Sequence, residues 1–251
     1  MQAFIFWRRR PIQVATVGRE SIRTAAVAPN NAWKDVKVRE HDYSFHGGLN
    51  RAKVGRYLTL IATSVSGTVV LVLLSVVDVA KRYGLNVNLP PTILSFVGAG
   101  MVFTVLYGTL NRYAWRWPIL RSALKVPDLA GRWSCEGRSL KPDGSLGYAW
   151  SATLTVFQTW DKIRVRMKTD QSGSDSIAAA LICDDAEGYR LLYNYRSDPN
   201  IGEVELRSHF GSCMLLFSKD IQSAEGEYFN GHGRFTFGRM SLRRDYGKGH
   251  H

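Results

Sequence analysis

The chain has 251 residues, 45% of them apolar, enough hydrophobic side chain for a folded core and too much for disorder. Its formal charge of +12 is unevenly placed, because 17 Lys/Arg and 5 Asp/Glu precede residue 126 while 16 of each follow it. A DNA- or RNA-binding domain would carry its own basic patch, whereas here the surplus flanks apolar spans, so no DNA or RNA partner is expected.

Residues 1–54 read as a basic, mobile, membrane-proximal tail. Its opening AFIFWRRR is too short to cross a bilayer, and no catalytic motif follows it. Two uncharged stretches of about twenty residues come next, Leu58 to Val77 and Pro91 to Leu110, each matching the length a helix needs to span about 30 Å of hydrocarbon. The first lies too deep in the chain for a cleaved signal peptide. The competing reading is a pair of buried helices in a soluble core, which are usually shorter and carry a polar stripe. With Gly84 and Pro90 as breakers between them, the two spans make a transmembrane hairpin over 55–112.

Flanking charge orients that hairpin. Arg51, Lys53 and Arg56 precede it, Arg112, Arg116, Arg121 and Lys125 follow, and the turn holds only Lys81 and Arg82. Both termini are therefore expected on the cytoplasmic side. Tyr57, Tyr113, Trp115 and Trp117 stand where an interfacial aromatic belt would lie. Thr63 with Gly67, and Gly100 with Thr104 and Gly108, have the small-residue spacing of closely approaching helices.

After a linker over 113–126, the texture changes to short alternating runs divided by Gly, Asp, Asn and Ser. Strands are expected near 131–139, 148–158, 161–169, 175–183, 188–196, 204–210, 212–218, 225–230 and 233–243, two of which can merge. The expected fold is a two-helix transmembrane hairpin followed by an all-β domain over 127–246, an antiparallel barrel of about eight strands. Ile163, Val165 and Met167 share one face of a strand and Lys162, Arg164, Arg166 and Lys168 the other. Tyr189, Leu191, Tyr193 and Tyr195 share a side opposite Arg190, Asn194 and Arg196, while Phe235, Phe237, Arg239, Ser241 and Arg243 share one in the last strand. Tyr hydroxyls, His209, Gln158 and Arg near an inward face suit a polar, anionic guest. Cys135, Cys183 and Cys213 are odd in number and widely spaced, which fits small buried thiols better than a disulfide framework or a zinc site.

HExxH, GxSxG, P-loop and Rossmann patterns are all missing from the sequence. No enzyme activity, metal or cofactor is expected.

Several phrases, in this order behind a double span, carry a family resemblance: PDLAGRWSCEG, TVFQTWDKIRVRMKT, SGSDS, LLYNYRSDP, HFGSCML and GEYFNGHGRFTFGRMSLRR. Over about residues 55–245 the chain resembles the SMODS-associated two-transmembrane, β-strand-rich proteins, the membrane effectors of CBASS antiphage defence. The resemblance implies a barrel that binds a cyclic dinucleotide, a homo-oligomer on activation, and disruption of the bacterial inner membrane. Mapped from those phrases, the implied ligand-proximal residues are Gln158, Trp160, Ser172, Ser174, Ser176, Tyr193, Tyr195, Arg196, His209 and Tyr228. Trp133 is expected to plug the barrel floor, as in lipocalin-like barrels. Two other readings stay open, a membrane-tethered lipocalin-like carrier of an apolar ligand and a scaffold that recruits a partner through the barrel's outer face.

Overall fold

The computed structural model describes residues 40–85, 88, 90, 98–184, 186–203, 206–231 and 234–246. Most of the expected tail, and residues 91–97 of the second expected span, lie outside them.

The described chain opens with a short strand, β1 (His41–His46), and turns within four residues into a helix, α1 (Arg51–Arg82). Asn50 caps α1 by accepting a hydrogen bond from Ala52 N at 2.8 Å. Gly84, at φ +78°, takes the left-handed conformation just past its end. Residues 41–54, expected to be tail, are instead a strand and the start of this helix. Lys81 and Arg82, expected in a turn, form its last turn, where their charge complements the helix dipole.

At 32 residues α1 is about 48 Å long, more than a bilayer core requires. Only 11% of its most apolar stretch is buried, the reverse of a helix in a soluble core. Polar residues inside it are satisfied locally: Thr59, Thr63, Thr68 and Ser75 each donate to the carbonyl four residues earlier at 2.8–2.9 Å. A second helix, α2 (Ala99–Arg112), packs beside α1. A Cβ built at Gly67, Gly100 or Gly108 would meet no described atom within 4 Å, so these glycines serve no close approach within the described chain. Then come a 3-10 turn (Ala114–Arg116) and a short helix, α3 (Pro118–Leu124). Tyr57, Tyr113 and Trp117 are exposed as a belt requires, but Trp115 is fully buried at this junction.

Eight strands follow: β2 (Gly131–Leu140), β3 (Leu146–Gln158), β4 (Lys162–Lys168), β5 (Ser172–Asp184), β6 (Gly188–Pro199), β7 (His209–Phe217), β8 (Ser223–Asn230) and β9 (Phe237–Asp245). Of the expected strand 204–210 only His209 and Phe210 are in a strand, and they run on with the expected 212–218 as the one strand β7; 206–208 are irregular, and 204 and 205 lie outside the described residues. Neighbours pair antiparallel from β2 to β9, β9 pairs back onto β2, and the ladder closes through β4 and β5. That closure is only partial, because β4 and β5 pair over Arg166–Lys168 and Gly173–Asp175 and then part. β1 fills the gap, antiparallel to β4 at His41 and Asp42 and parallel to β5 from Tyr43 to His46. The closed sheet thus holds nine strands among the described residues, one contributed from ahead of α1.

Alternation sorts the barrel as expected. Ile163, Val165, Leu191, Tyr193 and Tyr195 point inward and are buried. Arg164, on the outer face, bridges to Asp175 at 2.7 Å. In β9 the inward residues are Gly238, Met240 and Leu242, leaving Phe237, Arg239, Ser241 and Arg243 outside.

The two ends of the barrel differ. At the end where β2 arrives from α3, Trp133 is wholly buried, its Nε1 donates to Leu129 O at 3.2 Å and its ring meets Phe217 edge-on at 5.0 Å. Arg244 lies 5.2 Å over the same indole and donates to Ala130 O at 2.6 Å. Trp133 is the floor plug that its GRW setting suggested.

A candidate ligand cavity at the barrel mouth

At the opposite end, away from the helices, the interior opens into a cavity of about 340 Å³. It is walled by β3, β5, β6, β7 and β8 and rimmed by the β8–β9 connection. Its polar side chains follow from register. Ser174, Ser197 and His209 sit directly opposite one another on three adjacent strands, and Ser176, Tyr195, Gly211 and Asn230 form the next row.

Aromatic rings lie along the wall because glycines make room for them. Tyr195 crosses Gly211 to donate from its hydroxyl to Asn230 Oδ1 at 2.8 Å, and a Cβ on Gly211 would come within 2.5 Å of the phenol. Trp150 lies over its cross-strand partner Gly137, where a Cβ would come within 2.2 Å of the indole. Tyr228 lies over Gly238, and Trp150 Nε1 donates to the Tyr228 hydroxyl at 3.0 Å with the rings edge-on at 5.5 Å. Three glycine–aromatic pairs therefore flatten the rings against the wall and leave the centre open.

The rim supplies charge and donors. Arg234 donates to the Tyr148 hydroxyl at 2.6 Å, Asn230 donates to Thr236 Oγ1 at 2.7 Å, and His209 donates from Nδ1 to Arg207 O at 3.0 Å. Asp170 is the acidic member of the lining. Burial raises the phenols of Tyr193, Tyr195 and Tyr228 above the usual tyrosine range. The thiols of Cys135 and Cys213 are each pushed up to about 12, again chiefly by burial. The phenols of Tyr195 and Tyr228 in the lining thus stay protonated near pH 7, able to donate hydrogen bonds without repelling an anion.

A larger depression of about 900 Å³ lies on the outer face of the sheet, where Glu136, Glu225 and Glu227 interleave with Arg138, Arg190 and Arg239. It is open, and Glu227 already pairs with Arg239 at 3.3 Å. A phosphate-bearing guest suits the mouth better.

Residues 124–244 match the family model described as the Cap15 cyclic dinucleotide receptor domain, and residues 52–116 match the model of the Cap15 TM helices. This chain belongs to the Cap15 family. A relative, CD-NTase-associated protein 15 of Yersinia aleksiciae, is 40% identical over 207 residues, which is 82% of this chain and 98% of that protein. The Cap15 receptor model covers β2 to β8 and all but the last residue of β9, and so contains the mouth cavity, while β1 lies outside both matched segments.

The residues singled out in the sequence divide between the two ends of this Cap15 barrel. Ser172, Tyr195, His209 and Tyr228 line the cavity. Ser174 stands on the same inward face beside it, and Tyr193 lies one step deeper, hydrogen-bonded to Cys213. Three others lie elsewhere. Gln158 is buried at the membrane end, accepting from Leu129 N at 2.8 Å and donating to Pro127 O at 3.0 Å. Trp160 is buried in the β3–β4 turn beside the helices, because strand β3 runs its full length between it and the mouth. Arg196 points outward, one residue out of phase with Tyr195, and bridges to Asp198 at 3.1 Å. Ser176 is inward and buried, its hydroxyl bonded to His41 and to Val165 N. Trp150, Asn230 and Arg234 line the cavity without having been singled out. The isolated strand glycines in CEGR, HFGS and TFGR were the available signal, since a lone glycine in a strand marks a close approach.

Proposed function

We propose that this chain is a cyclic dinucleotide-gated effector of antiphage defence in the bacterial inner membrane. The observation that carries the reading is the mouth cavity, a set of aromatic faces and neutral donors beside Arg234, inside the segment that matches a cyclic dinucleotide receptor domain. A cyclic dinucleotide offers two flat bases and two phosphates. The bases stack on Trp150, Tyr195 and Tyr228, and the phosphates take hydrogen bonds from Arg234, His209 and the serines Ser172 and Ser174. Tyr193 supports the wall from below. Gln158, Trp160, Ser176 and Arg196 have structural partners and drop out of the contact set.

Binding at the mouth favours an oligomer, and the clustered spans then disrupt the bilayer. The differential affinity between resting and oligomeric states is what drives the switch. The unfilled small-residue positions at Gly67, Gly100 and Gly108 support packing between chains. Arg and Lys at both ends of the hairpin support cytoplasmic termini, a cytoplasmic barrel and contact with anionic lipid headgroups. The output is mechanical, with no catalytic step and no cofactor. An apolar carrier is the poorer reading, because the apolar half of the interior is filled by Trp133, Phe217, Leu154 and Leu215.

The test is dye release from anionic vesicles carrying the full-length protein. Release that depends on one of cyclic di-adenylate, cyclic di-guanylate or the mixed adenylate–guanylate supports the reading. No release across that panel counts against it.

A further inference from the structure

Two of the buried residues that do not line the cavity, Gln158 and Trp160, lie in a four-residue segment, 158–161, that touches every element leading to the membrane. From α1, Arg51 donates to Trp160 O at 2.9 Å. From α2, the Asn111 backbone carbonyl accepts from Trp160 N at 3.1 Å, its side chain accepts from Asp161 N at 3.0 Å, and Tyr107 donates to Asp161. From the linker, Arg116 donates to Gln158 O at 3.1 Å and bridges to Asp128 at 3.2 Å.

The same Arg51 holds β1. It donates to Tyr43 O at 2.6 Å and its guanidinium lies 4.5 Å over the Tyr43 ring. Tyr43 is buried in the core where β4 has ended, so β1 is a stave of the barrel wall and also the segment directly joined to α1. A shift of α1 relative to the barrel must move β1, and a shift of β1 must open or close the wall.

At its other end β1 meets the cavity wall. His41 Nε2 lies 2.7 Å from Ser176 Oγ, and Ser176 is the cross-strand partner of Tyr195. Between Ser176 and Ala178 the β5 ladder slips by one residue, a bulge that separates the half of β5 facing the cavity from the half paired to β1. Bulges re-aim a strand where two demands on it differ.

The junction also holds unmet hydrogen bonding. Among the described residues, the buried side-chain nitrogens without a partner are Arg51 Nε and Trp115 Nε1, and both lie where the helices meet the barrel. Buried donors are rarely left so, which sets this junction apart from the fully satisfied packing around it.

From these contacts we infer that β1 is the element through which occupancy of the mouth cavity reaches the membrane helix, with His41 as its sensing end and Arg51 as its output clamp. The inference rests on the receptor reading above and adds its transmission. Both residues are positioning residues, since neither lines the cavity.

The test uses full-length protein in anionic vesicles, with labelled cyclic di-adenylate, cyclic di-guanylate and the mixed form as probes, in wild type, His41→Ala and Arg51→Gln. Probe affinity is expected to stay within about twofold of wild type. Probe-triggered dye release is expected to fall by about tenfold or more in each variant, a loss of coupling without loss of binding. Hydrogen exchange in wild type supplies a readout independent of leakage and of mutant folding: the probe should change amide protection over 41–46 and 51–56. Release unchanged in both variants, or a wild-type probe complex with unaltered exchange over β1, overturns the inference. So does probe affinity falling in step with release, which would make these residues part of binding or folding. A wild type that binds no probe refutes the receptor reading itself, and the inference falls with it.

Discussion

The two ends of the barrel solve opposite problems with the same strands. At the membrane end the inward positions carry large apolar side chains, Trp133, Phe217, Leu154, Leu215 and Leu242, all nearly inaccessible. At the mouth those positions carry Ser, His, Asn and Tyr around open space, with glycines opposite the aromatics. Packing energy accumulates where the barrel meets the helices, and hydrogen-bonding capacity accumulates where nothing fills the interior. The difference teaches that this fold keeps dense apolar packing and an open polar lining at separate levels of one closed sheet, so a change at one level need not damage the other.

That separation is broken most severely by Trp133→Ala. The change removes an indole that seals the floor, a hydrogen bond to Leu129 O and the surface on which Arg244 rests. A loss of about 3–5 kcal/mol in unfolding free energy is expected, read by denaturant titration of the detergent-solubilised protein. A loss under about 1 kcal/mol would mean that the floor is not where the barrel is held together.

Gly137→Ala probes the middle ground. The new methyl meets the Trp150 indole and no backbone atom among its nearest neighbours, so the ring must leave the wall. A destabilisation of about 1–3 kcal/mol is expected from overpacking. Probe affinity should fall by about tenfold as the indole enters the cavity, since stacking on one aromatic is worth roughly 1–3 kcal/mol. Equal losses of affinity in Gly137→Ala and Trp133→Ala, scaled to stability, would erase the distinction between the ends.

Arg234→Ala should touch recognition alone. The side chain sits at the rim and donates to the exposed Tyr148 hydroxyl. Stability should hold within about 0.5 kcal/mol. Probe affinity should drop by about tenfold at low salt and by less at high salt, the signature of a charge-assisted contact to phosphate. An affinity independent of salt in the wild type would remove the rim arginine from the site.

The sequence spoke clearly where a period was long or a residue type was singular. The first uncharged span, two-residue alternation from β2 to β9 and the GRW floor plug were legible; in the strands, burial on one face leaves its mark on every second residue. The site was legible in part. Tyr195, His209, Ser172 and Tyr228 stand in phrases that mark inward faces, but a phrase carries no height along the barrel, so Gln158 and Trp160 were grouped with residues at the far end. Trp150, Asn230 and Arg234 depended on which glycine faces which ring, and that is set by register between strands. β1 was illegible for a different reason. A six-residue segment ahead of a membrane helix has too few alternations to declare a strand, and its partners lie more than a hundred residues away.

Arg196 gives the smallest expected effect and the sharpest reading of phase. It follows Tyr195 by one residue, and in a strand that single step carries it through the wall. Its guanidinium bridges to Asp198 on the outer face, with its side chain 20% and that of Asp198 53% exposed, so Arg196→Ala should cost under about 1 kcal/mol. Probe affinity should remain within about twofold of wild type, because the Tyr195 and Ser197 side chains on either side keep their inward places. An affinity that collapsed in Arg196→Ala while thermal stability held would mean that the ligand is read from outside the barrel.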